Sequence, residues 1–202
     1  MSESKDLFAH KSKSWDMNSK RVKNAEAIAE LIVKNIELKP TMEVMDFGAG
    51  TGLLSFFVAQ KVAKIVAVDN SPSMLEEFRK KSREFASQTE VLELDLSVST
   101  TERRFDGIIS SMTIHHLEDT KAIFSKFYAM LSENGFIGIA DLDTEDGTFH
   151  SDNTGVFHYG FNREGLENIA KEVGFKNIHF ETASIIEKPQ CDFSVFLMTA
   201  EK

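Results

Sequence analysis

The chain has 202 residues and a formal net charge of -9 at pH 7, so we expect one domain and no general attraction to nucleic acid or anionic membranes. Its single cysteine, Cys191, excludes an intrachain disulfide, and no apolar run reaches the roughly 18 to 20 residues needed to span a membrane. The polar start lacks an apolar signal core, which predicts a cytoplasmic protein.

Two segments precede the first predicted strand. Residues 1–19 are polar apart from isolated aromatic side chains such as Phe8 and Trp15, through which we expect this segment to dock on the body of the domain. Residues 20–36 place apolar side chains three and four positions apart. This spacing predicts a helix with one buried face.

The stretch 44–52 predicts a buried strand that ends in a glycine-rich turn. The alternating glycines Gly48, Gly50 and Gly52 let the backbone approach a ligand where any Cβ would collide. We expect Thr51 to cap the following helix, which turns its free N–H groups and the positive end of its dipole toward the crevice. A strand, a glycine turn and a helix in this order are typical of a nucleotide or nucleoside site.

The rest of the chain alternates predicted strands and helices up to Val173. The strands are at 64–69, 90–95, 105–112 and 136–141, and the helices at 53–60, 72–85, 119–131 and 162–173. Two further strands, 177–187 and 192–200, are separated by a short turn and predict an antiparallel hairpin. We therefore predict an α/β fold with a doubly wound, mostly parallel seven-stranded sheet, an antiparallel terminal hairpin strand and a single domain over 1–202.

Four aspartates lie at or beside the carboxyl ends of predicted strands: Asp46, Asp69, Asp95 and Asp141. Ligands bind at this edge of an open α/β sheet, although each acid alone could instead cap a following turn or helix. Asp69 follows Gly48 by about 20 residues, the interval at which a carboxylate accepts hydrogen bonds from ribose hydroxyls. The pattern therefore predicts an adenosine-like ligand.

The glycine spacing distinguishes this site from a dinucleotide site. A dinucleotide fingerprint, G-x-G-x-x-G, needs its third glycine at the position of Leu53, whereas this chain has Gly52 one residue earlier. The pattern D-x-G-x-G-x-G, which begins at Asp46, resembles the first motif of the class I S-adenosylmethionine-dependent methyltransferases. An NAD-dependent oxidoreductase is accordingly disfavoured.

The resemblance extends along nearly the whole chain. Residues 66–75 are similar to the family's second motif, in which Asp69 would bind the ribose hydroxyls and Met74 would pack near adenine. Residues 94–96 are similar to its adenine-binding turn and 105–112 to its fourth motif, and 13–16 look like its N-terminal segment, which folds over the donor. The donor-binding residues implied by the resemblance are Trp15, Asp46, Gly48, Gly50, Thr51, Asp69, Asn70, Met74, Asp95, Leu96 and Ser111.

The resemblance implies methyl transfer from S-adenosyl-L-methionine to a small molecule, with S-adenosyl-L-homocysteine as product. The methyl group would move in line from the sulfonium to a nucleophile, and catalysis would depend mainly on proximity and alignment. Residues 111–117 resemble small-molecule methyltransferases, including those related to the quinone-biosynthesis C-methyltransferases. Amino-methylating nucleic-acid methylases instead carry an N-P-P-Y-like motif after the fourth strand, where this chain reads Ser-Met-Thr-Ile at 111–114.

Two other functions stay open on the sequence. A module that binds the donor or its demethylated product without turnover, as a sensor or scaffold, would need the same donor residues. A protein methyltransferase would use the acidic surface to meet a basic substrate. Labelled methyl transfer separates these functions from methylation of a small molecule.

The first catalytic candidates are His115 and His116, which follow the fourth strand at the edge that should face the methyl group. An imidazole titrates near working pH, so one of them could act as a general base. In the alternative, one is a core histidine bonded to backbone and the other orients a loop. Either histidine could also line the pocket without moving a proton.

The second group lies in an irregular, acidic stretch, 142–161, whose length is typical of a lid or substrate-binding loop. His158 and Tyr159, together with His150, could select or deprotonate an acceptor there. The alternative is a surface loop anchored by its phenylalanines. Acids in such a loop are usually only solvated, so we expect no metal site.

Overall fold

The computed structural model describes Asp6 and residues 8–202. Of the predicted docking segment, 1–19, residues 1–5 and 7 therefore lie outside the described residues. Within the described part, the strands are β1 (Glu43–Phe47), β2 (Lys64–Asp69), β3 (Gln88–Glu93), β4 (Phe105–Ser111), β5 (Leu131–Leu142), β6 (Lys176–Glu187) and β7 (Asp192–Glu201). The α-helices are α1 (Ser19–Asn35), α2 (Leu53–Val58), α3 (Pro72–Lys81), α4 (Thr120–Met130) and α5 (Arg163–Val173).

All seven strands form one sheet in the order β3-β2-β1-β4-β5-β7-β6. Strands β1 to β5 pair in parallel, and β7 runs antiparallel to both of its neighbours, β5 and β6. This topology confirms the predicted α/β fold, including the antiparallel terminal strand. Because the central strands run in one direction, their carboxyl ends meet along one edge of the sheet, where such folds bind ligands.

The core lies on both faces of the sheet. Neighbouring residues of β1 point to opposite sides, so that Met45 packs with Phe127 of α4 in one apolar cluster and Val44 packs with Ile28 of α1 in the other. All four of these side chains are buried. A strand that is covered on both faces needs apolar residues at successive positions, which explains the continuous apolar run in this part of the sequence.

Two helices begin directly after the residues that were predicted to cap them. Ser71 accepts a hydrogen bond from the Met74 N–H at 3.3 Å at the start of α3, and Asn162 accepts one from the Gly165 N–H at 2.9 Å at the start of α5. Among the helices of residues 6 and 8–202, none is long and apolar enough to cross a membrane.

The predicted cap of α2 is wrong. Gly52, with φ +83°, occupies the N-cap position, and no side chain caps this helix. The Thr51 hydroxyl instead donates to the carboxylate of Asp16 at 2.6 Å. The Thr51 side chain, which the local pattern predicted to cap the helix, is therefore hydrogen-bonded to a residue far away in the sequence.

Candidate functional site

The glycine-rich turn at the end of β1 has a backbone that other residues rarely adopt. Gly48, Gly50 and Gly52 have φ values of +66°, +54° and +83°, in the left-handed region that carries little cost for glycine alone. The Gly48 N–H donates to the Val68 carbonyl at 2.8 Å, which fixes the turn to β2. The three alternating glycines are thus required by conformation as well as by space.

The space around the three glycines is not equal. A Cβ on Gly48 would overlap with Thr113, and one on Gly52 would lie 2.6 Å from the Phe78 ring. At Gly50 the nearest atom would be the Gly48 carbonyl oxygen, 4.0 Å away. Protein atoms therefore fill the space beside two of the glycines and leave it open at Gly50, where a ligand can approach the backbone.

Asp69 ends β2 beside this open space. Its Oδ2 accepts a hydrogen bond from the Gly50 N–H and its Oδ1 one from the Ser71 N–H, both at 2.8 Å. Burial raises the pKa of Asp69, while these backbone hydrogen bonds lower it. Each carboxylate oxygen can accept more than one hydrogen bond, so the side chain keeps the capacity to accept from two adjacent hydroxyls of a ribose.

Asp46 lies beneath the turn. Its side chain is buried, and its Oδ2 accepts a hydrogen bond from the Ser55 hydroxyl of α2 at 2.5 Å. Burial, with a smaller contribution from the nearby Asp69, raises the pKa of Asp46 to about 7. Asp46 thus joins the strand to the helix that follows the turn.

The other predicted donor residues occupy varied surroundings. Asp95 accepts from the Ser97 N–H at 2.8 Å and from its hydroxyl at 2.6 Å, as expected for an acid that stabilises a turn. Leu96 and Met74 are buried, Asn70 is exposed, and Ser111 is partly exposed at the end of β4. Their roles toward the donor stay predictions.

The segment formed by Asp6 and residues 8–18, here called the N-terminal strap, lies across this edge of the sheet. Asp6 accepts from the Ser71 hydroxyl at 2.7 Å, at the start of α3. Asp16 accepts from the Thr51 hydroxyl of the glycine turn and forms an ion pair with Lys81. Two carboxylates of the strap are therefore bound to the two predicted donor motifs.

Aromatic contacts complete the docking of the strap. The Phe8 ring packs edge-on against Trp15, with centroids 5.9 Å apart, and against His116, with centroids 5.8 Å apart. The Arg21 guanidinium of α1 lies 3.9 Å from the centre of the Trp15 ring. The strap thus connects the glycine turn to the histidines that follow β4.

Three imidazole rings meet beside the strap; we call them the imidazole cluster, made of His115, His116 and His150. The ring centroids are 4.1 Å apart for His115 and His116, 5.0 Å for His115 and His150, and 5.7 Å for His116 and His150. No group of three or more His, Cys, Asp or Glu residues within the described ranges is arranged to hold a metal ion.

His115 is held by a buried carboxylate. Its Nδ1 lies 2.7 Å from Oδ1 of Asp141 in β5, and its backbone N–H donates to Oδ2 at 3.2 Å. The two side chains are 1% and 0% exposed. Asp141 is therefore not free to bind a ligand directly, and the sheet positions the histidine through it.

The other two rings are held in less polar surroundings. The Nδ1 of His116 lies 2.7 Å from the Gly155 carbonyl oxygen, and burial, with the neighbouring His115, lowers the pKa of His116. Burial, followed by the charges of His115 and His116, lowers the pKa of His150 to about 4. Both rings are accordingly neutral at pH 7.

Comparison with known proteins places the chain in a family. Residues 45–137 match a family profile described as a methyltransferase domain. An uncharacterized methyltransferase of Schizosaccharomyces pombe is 32% identical over 177 residues, which cover 79% of this chain and 61% of the relative. The chain belongs to the class I S-adenosylmethionine-dependent methyltransferases.

Two further proteins that are similar to this chain have named activities. Phosphoethanolamine N-methyltransferase 1 of Zea mays is 31% identical over 119 residues, which cover 58% of this chain and 24% of that protein. The solved structure of Haemonchus contortus phosphoethanolamine N-methyltransferase 2, in complex with S-adenosyl-L-methionine, matches with a TM-score of 0.72 at 18% identity, over 98% of this chain and 60% of that one. At that identity the structural likeness shows the fold alone. The chain spans less than two thirds of each of these three proteins.

The methyltransferase fold brings some predicted catalytic residues together and separates others. His115 and His116 lie in the imidazole cluster as neighbours. His158 faces the start of α4, where its Nε2 lies 2.9 Å from the Leu117 carbonyl oxygen. Tyr159 is 46% exposed and packs beside Gly147. The structure therefore does not place these two side chains with the cluster.

The sequence named His150, with His158 and Tyr159, as a loop residue that could select or deprotonate an acceptor, but it did not predict contact with His115 and His116. The structure places the His150 ring against both of those rings. Phe149, next to it, packs against Phe193 of β7 with centroids 5.2 Å apart and so fixes this part of the loop to the sheet. The only signal in the sequence for the place of His150 is the phenylalanine next to it. Phe157 next to His158 shows the same pattern but is exposed, so this signal does not identify which histidine lies in the site.

Proposed function

We propose that the protein transfers the methyl group of S-adenosyl-L-methionine to a small-molecule acceptor by in-line displacement and releases S-adenosyl-L-homocysteine. The observation that carries this proposal is the open backbone at Gly50 directly beside the Asp69 carboxylate. An adenosine needs both features: room for close approach and an acceptor for the ribose hydroxyls. The rest of the donor contacts follow from the family's motifs.

The charge of the site suits this donor. S-adenosyl-L-methionine carries a positive sulfonium and an ammonium group, and the edge of the sheet presents the Asp69 carboxylate to it, in a chain whose net charge is -9. A diphosphate would be repelled by the same carboxylate. The site's chemistry therefore favours a sulfonium donor over a dinucleotide.

The relatives support a small-molecule acceptor. The Zea mays and Haemonchus contortus proteins are named for methylation of phosphoethanolamine, a small molecule. The chain covers only part of those proteins, so the acceptor of this protein is not inferred from theirs. The likeness of residues 111–117 to the quinone-biosynthesis group likewise stays a prediction.

A transfer assay with methyl-labelled donor tests the function. The purified protein is incubated with a metabolite extract of low molecular weight and, separately, with a protein extract. We expect label in the metabolite fraction, less transfer by Asp69→Ala at a subsaturating donor concentration, and full transfer by the exposed control Asp192→Ala. Label in protein alone would favour a protein methyltransferase, whereas saturable donor binding without any transfer would favour a sensor or scaffold.

A further inference from the structure

We infer that the Nε2 atom of His115 takes the proton of the methyl acceptor, so that the acceptor reacts through an N–H or O–H group. This inference rests on the proposed methyl transfer and specifies the base and the acceptor class of that site. It is carried by the orientation of the ring, by its unpartnered nitrogen and by its place beside the glycine turn.

The hydrogen bonds around His115 determine which nitrogen can accept a proton. An ionised carboxylate only accepts, so the Nδ1 atom that lies 2.7 Å from Asp141 carries the ring hydrogen. Asp141 is itself held by the Leu142 N–H at 2.8 Å and by the His115 N–H at 3.2 Å. The ring is therefore oriented with the lone pair on Nε2.

That lone pair has no partner among the described residues. The His115 side chain is 1% exposed, and its buried Nε2 accepts no hydrogen bond. A buried polar atom without a partner costs free energy, and such atoms in folded proteins call for an explanation. An N–H or O–H group of a bound acceptor would supply the missing hydrogen bond.

The rest of the imidazole cluster selects the same kind of ligand. His116 points Nδ1 at a carbonyl oxygen, so its ring hydrogen is on Nδ1 and its Nε2 also carries a lone pair. The Nε2 of His150 is buried and has no partner in the described part of the chain. Because low pKa values keep both rings neutral, the cluster is poor in the cations that a carboxylate or phosphate would need.

The charged groups that face the cluster come from two other elements. Asp141 approaches from β5. Lys188, between β6 and β7, has its Nζ 3.8 Å from the centre of the Phe149 ring and contributes to the low pKa of His150. The nearest negative charge is thus bonded to His115, where it stabilises the imidazolium that would form when the ring takes a proton.

The position of His115 links the cluster to the predicted donor. Thr113, two residues earlier, fills the space against Gly48 of the glycine turn. On the other side, His116 contacts Phe8 of the strap, which contacts Trp15. These contacts place the cluster next to both the glycine turn and the strap, where we expect the methyl acceptor to meet the donor.

The proposed step moves a methyl group and a proton. A lone pair on the acceptor's nitrogen or oxygen forms the bond to the methyl carbon while the carbon–sulfur bond breaks and its electron pair returns to sulfur. The proton on that nitrogen or oxygen moves to Nε2 of His115. The resulting imidazolium, paired with Asp141, later releases the proton to water.

The experiment combines turnover and spectroscopy on the full chain. With acceptors from the metabolite extract, His115→Gln should lower kcat by about 100-fold or more, within the range for loss of a general base, and leave calorimetric affinity for S-adenosyl-L-homocysteine unchanged. The exposed control His179→Gln should keep the wild-type rate. Asp141→Asn, which alters a positioning residue, should move the acidic limb of the kcat profile to lower pH, since the base loses its stabilising anion.

Histidine-labelled ¹⁵N NMR of the complex with S-adenosyl-L-homocysteine reads the ring directly. We expect His115 with hydrogen on Nδ1 and none on Nε2 near pH 7, and product carrying the methyl on nitrogen or oxygen. The proposal is overturned by hydrogen on Nε2, by methylation of carbon or sulfur, or by a His115→Gln rate within about 3-fold of wild type. Absence of donor binding or of any transfer by the wild type would instead contradict the proposed function.

Discussion

The backbone N–H of Gly50 donates a hydrogen bond to Oδ2 of Asp69 across 2.8 Å. This bond joins the glycine turn after β1 to the end of β2, so the two parts of the predicted donor site are fixed to each other before any ligand binds. The second oxygen of Asp69 is held by the Ser71 N–H at the start of α3. The carboxylate is therefore preorganised, and binding requires no rotation of its side chain.

The first prediction concerns Asp69 and donor affinity. Asp69→Ala should weaken binding of S-adenosyl-L-homocysteine by about 10-fold to 100-fold, because hydrogen bonds to a charged group contribute about 1.5 to 3 kcal/mol. Isothermal calorimetry measures the change, and thermal unfolding checks that the fold is retained. Asp192→Ala, at an exposed position, should bind as the wild type does. Unchanged affinity in Asp69→Ala would contradict the ribose assignment.

Gly50→Ala tests whether the open space beside the turn belongs to the donor. The added methyl group meets no protein atom closer than 4.0 Å, so the protein should fold with a loss of about 1 kcal/mol from the positive φ. Donor affinity should fall by about 10-fold or more, since the methyl group occupies space that the ligand needs.

The matched control for this variant is Gly165→Ala in the first turn of α5. Its Cβ would make only ordinary contact, 3.6 Å from the Asn162 Oδ1, and it lies outside the glycine turn. It should leave donor affinity unaltered and keep or increase stability, because alanine favours helix more than glycine does. Equal affinities for the Gly50 and Gly165 variants would show that the donor does not approach Gly50.

The sequence predicted most of what is local or periodic. The buried parallel strands were located because they form continuous apolar runs, and β6 and β7 because a short turn separates two strand-like runs. The caps Ser71 and Asn162 were recognised because each bonds a backbone N–H three residues away. The acids at the strand ends were found because the ends of the strands were predicted. In the structure, however, Asp141 binds His115 and Asp95 stabilises a turn.

What failed depended on contacts between distant residues. Thr51 was assigned to α2 by its position, but Asp16 of the strap takes its hydroxyl, a pairing that no spacing rule contains. In the loop, His150 and His158 look alike in sequence, each beside a phenylalanine. Only the folded path of the loop brings one ring to the imidazole cluster and leaves the other at α4.

The raised pKa of Asp46 predicts that the stability of the protein depends on pH. This pKa is raised from 3.8 to about 7 in the folded protein, so between these values the folded state holds a proton that the unfolded state has lost. Stability contributed by this group therefore falls as the pH rises through this window. Asp46→Asn removes the effect, and its free energy of unfolding in urea should exceed that of the wild type more at pH 8 than at pH 5, by up to about 3 kcal/mol, because about two pH units of the window lie above pH 5.

Two outcomes decide this prediction. The exposed control Asp192→Asn should show the same difference between pH 5 and pH 8 as the wild type. If Asp46→Asn also keeps the wild-type difference, the carboxylate is ionised in the folded protein at both pH values, and the Ser55 hydrogen bond offsets the burial. Measurements without donor are needed, because a bound cation would favour the ionised form.

Trp15 offers a direct signal for donor binding. It is the single tryptophan of the chain, it lies on the strap between Phe8 and the Arg21 guanidinium, and Asp16 beside it bonds the glycine turn. A donor in the crevice should alter the packing of this ring, so tryptophan emission should change with S-adenosyl-L-homocysteine and saturate at the calorimetric Kd. Trp15→Phe should bind the ligand in calorimetry without a fluorescence change, and Asp69→Ala should need a higher ligand concentration for saturation in both measurements. Tight calorimetric binding with constant emission from the wild type would mean that the strap does not cover the donor.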